Sequence, residues 1–521
     1  MPSKGSVLWV DDEIDLLRPH IKFLKEKGYD VDTATNGDDA VTMVENNRFD
    51  LILLDEQMPG RGGLDTLASL KSVSPSLPVV MVTKNEAESL MEEAIGMQIS
   101  DYLTKPVNPT QVLLTCKKFI EGKKIVADFG QQHYLQDLQP LAVKMSYASS
   151  FSDWTEIHNA LVQWERMLDT HPEETLRQML RDQRREANIT FSRFIASNYK
   201  DWIGGGKNAP TLSPEILDKF VVPQLKSSAG PVFFIVVDCM RYDQWLEMEP
   251  LVAELFTVKK DFYCGILPTA TAYARNAIFS GLYPGDLETR FPHVWQGGSD
   301  DDDTRNKYEK DLLIDFAARK RLGLKNEPKY FKILNQDFGK YVEQQVPSLA
   351  NQQLTAIVVN FVDMLAHGRS DSSLIRELAP DEGAYRSVTR SWFEHSPLYR
   401  IFQAIAQIKN SRVVITTDHG SIRCMRGAKV FGDRETSTCL RFKYGRNVRV
   451  EDERTALTVR NPKDFRLPTH GLAVNYVIAY EDYYLVYPTD YHKFLNHYHD
   501  TFQHGGISLE EMMLPVITLE H

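Results

Sequence analysis

Three observations predict an α/β protein built in three parts. Short apolar runs alternate with helical stretches over residues 1–122, the strand signal vanishes over 123–205, and a longer βα rhythm returns over 206–521. The expected architecture is an N-terminal doubly wound (βα)5 domain, a small middle helical bundle and a C-terminal α/β domain.

In the first part, Ser6–Val10, Asp50–Leu54 and Pro78–Val82 are apolar runs suited to buried parallel strands. In the second, Ile157, Leu161, Trp164 and Leu168 are spaced by four, three and four, one face of a helix. Asp153 with Glu156 and Thr170 with Glu173 read as capping boxes that start two helices. Phe191, Phe194, Ile195, Tyr199 and Trp202 extend the pattern, and Gly204-Gly205-Gly206 ends it. In the third, Val232–Val237, Ala356–Val362 and Val413–Thr417 read as strands and Ala272–Ser280 as a helix. The Asp300–Asp303 run and the mixed polar stretch from about 430 to 470 suggest lids, and for the four aspartates a solvated loop is the favoured reading.

The chain has 521 residues, 60 Lys+Arg against 71 Asp+Glu and a net charge of -11. That balance argues against broad binding to nucleic acid, whose affinity comes mainly from cations set against phosphates. No basic helix-turn-helix follows the first domain, so direct duplex binding is not expected. A small anionic substrate stays open, because bound metals reverse a local field. Five scattered cysteines without a CxxC pair make neither a disulfide framework nor a cysteine zinc site. An acidic cluster arrives by Asp11, too soon for a signal peptide, and no apolar run reaches the ~20 residues of a membrane helix. The expectation is a soluble cytoplasmic protein.

Asp11 and Asp12 follow the first strand, Asp55 ends the third, Thr83 ends the fourth and Lys105 follows the fifth. In an open parallel sheet these are the ligand-binding ends. Three carboxylates there repel one another unless a hard cation such as Mg²⁺ joins them. With Asp11-Asp12-Glu13, Asp55 before Met58-Pro59-Gly60, Thr83 and Tyr102–Pro106, this part resembles a response-regulator receiver domain. The resemblance implies that Asp55 takes a phosphoryl group and that Asp12, Asp55 and the Gln57 carbonyl hold Mg²⁺, assisted by Asp11. It further implies that Lys105 neutralises the phosphoryl charge, and that Thr83 and Tyr102 couple it to a homodimerisation face.

In the third part Asp238, Asp363 and Asp418-His419 follow strand-like runs, His367 lies four residues after Asp363, and His504 precedes Gly505-Gly506. Carboxylate plus imidazole suits Zn²⁺ or Mn²⁺, and six such ligands are too many for one four-coordinate ion, so two metals are inferred. Thr271, at the start of a predicted helix, is the candidate nucleophile, since free amides there favour an anion. Ordinary N-capping explains Thr269 or Thr271 alone; the six ligands make the nucleophile the stronger reading.

These motifs, with Pro268–Thr271 and Ser280–Pro284, resemble the PglZ branch of the alkaline phosphatase superfamily. By resemblance one metal takes Asp238, Thr271, Asp418 and His419, and the other Asp363, His367 and His504. Related phosphodiesterases place an Asn three residues after the nucleophile, where this chain has Ala274; Arg275 and Asn276 are assigned to supply the missing substrate contact. The whole order resembles PorX-type response regulators. This implies a PorY-like sensor kinase, a role in type IX secretion, and a two-metal phosphodiesterase acting on nucleotide-type substrates such as an oligonucleotide or cyclic nucleotide. The alternative is a non-catalytic regulator that binds a sigma factor or secretion-motor protein.

Overall fold

The first apolar runs do form parallel strands: β1 (Ser6–Val10), β2 (Asp30–Ala34), β3 (Leu51–Asp55), β4 (Val79–Thr83) and β5 (Asp101–Thr104). The computed structural model describes residues 3–84, 94–169, 173–228, 230–295, 306–433, 437, 439–469, 474–489 and 491–520. The five strands make one parallel sheet in the order β2-β1-β3-β4-β5. Val7 and Trp9 of β1 enter one core and Leu8 and Val10 the other, so both faces are covered. Helices α1 (Arg18–Glu26), α2 (Gly37–Asn46), α3 (Gly63–Val73) and α4 (Pro109–Cys116) belong to this domain. After α4 a π-helical turn, Lys117–Glu121, leads into α5 (Gly122–Tyr147).

The chain divides into compact units at 1–135 and 136–521, with the division inside α5. From residue 136 onward the helical segment therefore packs as part of the larger unit. Its helices are α6 (Phe151–Leu168) and α7 (Glu174–Ile203). The expected cap at Asp153 is corrected: Ser150 is the N-cap and Asp153 its reciprocal partner. Ser150 Oγ accepts from Asp153 N at 3.2 Å, and Asp153 Oδ2 accepts from Ser150 N at 2.9 Å. Thr170 and the Asp300–Asp303 run lie outside the described residues.

His158 of α6 is 4% exposed, packed against Tyr242 and Phe262. Burial, aided by the Arg184 charge, lowers its pKa to about 4. As pH falls from about 6.5 towards 4, the unfolded chain takes up a proton that the folded chain refuses, so stability falls with pH. In His158→Gln, denaturant midpoints measured across that window should depend less on pH, by up to one proton; an unchanged slope would remove His158 from the account.

The larger unit centres on six strands: β6 (Val232–Val237), β7 (Thr257–Cys264), β8 (Lys329–Ile333), β9 (Leu354–Val359), β10 (Arg412–Thr416) and a C-terminal strand, Met513–Glu520. Strands β10, β6, β9 and β8 are parallel neighbours, and the C-terminal strand runs antiparallel between β7 and β10. Phe233, Ile235 and Val237 point to one core, and Val232, Phe234 and Val236 to the other. Two expectations change here. The third-part strand predicted at Ala356–Val362 stops at Val359, because a helix begins at Phe361. The stretch from 430 to 470, read as a lid, folds where described into short strands with a small core of Val430, Val448, Val450 and Ala456.

Candidate functional site

In the first unit the strand order reverses between β1 and β3, and the carboxyl ends of the strands there carry the acids. Asp11 follows β1, Asp55 ends β3, Thr83 ends β4 and Lys105 follows β5. Asp11 and Asp55 are buried and Asp12 is exposed, yet a carboxylate oxygen from each lies within 4.8 Å of the others. Lys105 Nζ lies 2.8 Å from Asp11 and 2.9 Å from Asp55. Burial raises the Asp55 pKa; Lys105 opposes this, while the charges of Asp11 and Asp12 add to it. Such a crowd of oxygens fits a hard divalent cation such as Mg²⁺. The Thr83 hydroxyl donates to Glu56, Gln57 sits in the exposed loop after β3, and Tyr102 is 47% exposed.

In the larger unit, parallel β6 and β10 bring Asp238 and Asp418-His419 to one sheet edge. These three are buried, and their ligand atoms lie within 4.8 Å of one another. Cys239, next to Asp238, holds a left-handed φ of 62°, which costs an ordinary residue ~1 kcal/mol or more. This turn brings its backbone N–H to Asp418 Oδ1, at 3.3 Å. Asp363 and His367 share one face of the helix Phe361–Asp371 and meet His504 in a second group of the same size. His504 follows a short strand, Thr501–Gln503, and Gly505 after it has φ 116°, a turn that glycine makes without strain.

Thr271 opens the helix Thr271–Ser280, and its Oγ1 lies 3.0 Å from His419 Nε2. His419 Nδ1 lies 3.1 Å from the Gly420 carbonyl, which can only accept, so Nδ1 carries the proton and Nε2 the electron pair. Burial first, and the neighbouring His504 next, lower the His419 pKa to about 4, keeping the ring neutral. His504 repeats the pattern: Nδ1 faces Thr269 O at 3.2 Å and Nε2 lies 3.7 Å from Asp363 Oδ1. The two rings stack with centroids 4.1 Å apart. Histidine ligands characteristically give one N–H to a carbonyl and the other nitrogen to a metal. The buried Asp238 Oδ1 accepts no hydrogen bond among the described residues and lies 3.7 Å from His419 Nε2. Both groups therefore fit divalent metals, with the second open to solvent beside the half-exposed His367.

Arg275 requires a correction. It is fully buried, and its guanidinium pairs with Asp238, with Asp418 Oδ2 at 2.9 Å and with Glu309 Oε1 at 3.4 Å. It faces the ligand carboxylates and leaves no edge for a substrate, because three buried acids need a cation. Burial raises Asp238 well above the usual carboxylate range against the pull of Arg275. For Asp418 the same burial is overcome by Arg275 and His419, which hold it low. Asn276 is also fully buried, and its Nδ2 donates to Ala272 O at 2.9 Å within its own helix.

Sequence reasoning missed Glu309, which carries no motif, and Glu511, which does. Its signal is the Ser-x-x-Glu spacing at a helix start: Ser508 is the N-cap, Glu511 N donates to Ser508 Oγ at 3.2 Å, and Ser508 Oγ donates to Glu511 Oε2 at 2.6 Å. Glu511 also accepts from Gly506 N at 2.8 Å and pairs with the buried Arg441 at 2.7 Å, so it holds the His504 turn.

Three families match the chain. Residues 7–117 match the "Response regulator receiver domain", 124–203 the "PorX response regulator linker domain", and 216–519 the "BREX system PglZ alkaline phosphatase-like domain". Similar curated proteins include the alginate biosynthesis transcriptional regulatory protein AlgB of Pseudomonas syringae pv. tomato. It is 36% identical over 125 residues, 24% of this chain and 28% of that protein. The transcriptional regulatory protein ResD of Bacillus subtilis is 32% identical over 118 residues, 23% of this chain and 49% of that protein. The chain thus spans half or less of the length of these two relatives. Among solved structures, chemotaxis protein CheY4 of Vibrio cholerae is 29% identical, covering 22% of this chain and 98% of its own, with a TM-score of 0.21. A receiver domain implies a sensor histidine kinase as partner, and alkaline-phosphatase-like domains use metals. No helix among the described residues is long and apolar enough to cross a membrane. With the PglZ match alone covering more than half of its length, and the receiver and PorX linker preceding it, the chain belongs to the PorX-type response regulators with an alkaline-phosphatase-like PglZ domain.

Proposed function

We propose that this protein is a phosphorylation-controlled phosphodiesterase, divided into a receiver at 1–122, a linker at 123–205 and a catalytic domain at 206–521. The observation that carries the reading is Thr271 Oγ1 at the first turn of its helix, 3.0 Å from His419 Nε2, beside two groups of carboxylates and imidazoles. Asp238, Thr271, Asp418 and His419 would hold one divalent ion, and Asp363, His367 and His504 the other, as Zn²⁺ or Mn²⁺. When bound, the pair supplies positive charge that acidifies a hydroxyl and draws electron density from a phosphoryl oxygen. The chain supplies the rest. Thr271 presents the hydroxyl where free backbone N–H groups favour developing negative charge. Gly420 and Thr269 carbonyls fix the two ring tautomers, and Arg275 keeps Asp238 and Asp418 paired and oriented. Nucleotide-type phosphodiesters are the substrate class. Metal analysis with hydrolysis of a chromogenic phosphodiester tests this; a chain that takes up no metal and releases no product refutes it.

Control enters through Asp55, phosphorylated by a PorY-like kinase with Mg²⁺ held by Asp11, Asp12, Asp55 and the Gln57 carbonyl. Lys105 would steady the phosphoryl group while Thr83 and Tyr102 pass the change to a homodimer face, in regulation of type IX secretion. Incubation with acetyl phosphate and Mg²⁺ should phosphorylate wild type and shift it to a dimer by light scattering, and should leave Asp55→Ala unmodified and monomeric. Incorporation undiminished in Asp55→Ala would place the acceptor elsewhere.

A further inference from the structure

Helix α7 meets the candidate active site along one line. Arg184, Asn188 and Ser192 recur every four residues and Tyr199 follows seven later, so all four lie on one face. Arg184 Nε donates to Glu510 Oε1 at 2.5 Å. Asn188 works both ways: Nδ2 donates to the Glu510 oxygens at 3.2 and 3.1 Å, and Oδ1 accepts from Leu509 N at 2.8 Å. Ser192 Oγ donates to Ile507 O at 3.2 Å, and Tyr199 Oη accepts from Leu267 N at 2.8 Å. One end of the line thus grips the turn after His504, and the other the loop that leads to Thr271.

Those two segments are stitched to each other by Thr269. Its Oγ1 donates to Gly506 O at 2.8 Å and accepts from Gly505 N at 3.1 Å, while its carbonyl takes His504 Nδ1 at 3.2 Å. The Glu510 carbonyl also backs Gly420, where an added Cβ would stand 1.9 Å from it; only glycine lets the two backbones approach. Glu510 is buried, so its carboxylate depends on Arg184 and Asn188 for compensation.

We propose that this face of α7 is a positioning rail. It sets the spacing between the Thr271 loop and the His504–Glu510 turn, and so the geometry of the second metal's ligands, although no residue of α7 touches substrate. A displacement of α7 would then be read directly at the site. The inference rests on the two-metal reading above.

The test compares full-length Asn188→Leu, the milder Ser192→Ala and an outward-facing control, Ser197→Ala. Hydrogen exchange should quicken together at 265–271 and 504–511 in the first two and in neither segment of the control. Affinity for one of two Zn²⁺ ions should fall about 10–100-fold, the usual effect of losing a partner that orients a ligand. The Co²⁺-loaded visible spectrum should change, and kcat on a chromogenic phosphodiester should fall with KM nearly constant. Folded Asn188→Leu, or Ser192→Ala if the former does not fold, with wild-type exchange in both segments overturns the rail. Quickened exchange with unchanged Zn²⁺ affinity overturns its link to the metal. Failure of wild type itself to bind metal refutes the catalytic reading instead, and leaves exchange to judge the rail.

Discussion

Thr271→Val should lower phosphodiester hydrolysis by about 10³-fold or more, because it removes the hydroxyl proposed to make the covalent attack while keeping nearly the same side-chain volume. Thr271 is 5% exposed and begins its helix without acting as its N-cap, which is Ala270. The substitution therefore removes one hydrogen bond, to His419, and disturbs little packing. Stability should change by only ~1 kcal/mol. The proposed ligands Asp238, Asp418, His419, Asp363, His367 and His504 remain, so most metal should stay bound. The measurement is the rate with a chromogenic phosphodiester beside metal content and circular dichroism. An unchanged rate in a folded, metal-loaded variant would end the assignment of Thr271 as nucleophile.

Arg275→Met should destabilise the chain severely in chelator, and far less with metal present. The guanidinium compensates Asp238, Asp418 and Glu309, all buried, and removing one partner of a buried charge cluster typically costs about 3–5 kcal/mol. Divalent ions bound by Asp238 and Asp418 would offset the same charge, and ligand binding to the folded state alone adds stability by mass action. Urea denaturation with excess EDTA and with excess Zn²⁺ provides the comparison. Equal losses in both conditions would show that Arg275 stabilises by packing alone and has no electrostatic share in the ligand set. Arg275→Lys should recover little, since an ammonium cannot span two carboxylates in the fixed geometry of a guanidinium.

Spacing and period made much of this molecule legible before any coordinates. Apolar runs of five or six residues announced β1, β3, β4, β6 and β10, because a strand covered on both faces has no polar alternation to hide it. An acid directly after such a run lands at the ligand-binding edge of a parallel sheet, which is why Asp55, Asp238 and Asp418 could be named. His367 at four residues from Asp363 needed only the helical repeat.

What linear order could not convey is direction. Arg275 sits one helical turn after Thr271, and that neighbourhood suggested a substrate contact. Its rotamer and its partners come from strands and a helix remote in the chain, and they turn it towards Asp238, Asp418 and Glu309. The grip of Arg184 and Asn188 on Glu510 spans more than 300 residues of separation, a pairing that no local pattern encodes. Periodicity arises from the backbone's own repeat and is written in the chain; charge pairing in a buried interior arises from which surfaces meet, and exists only once they have met.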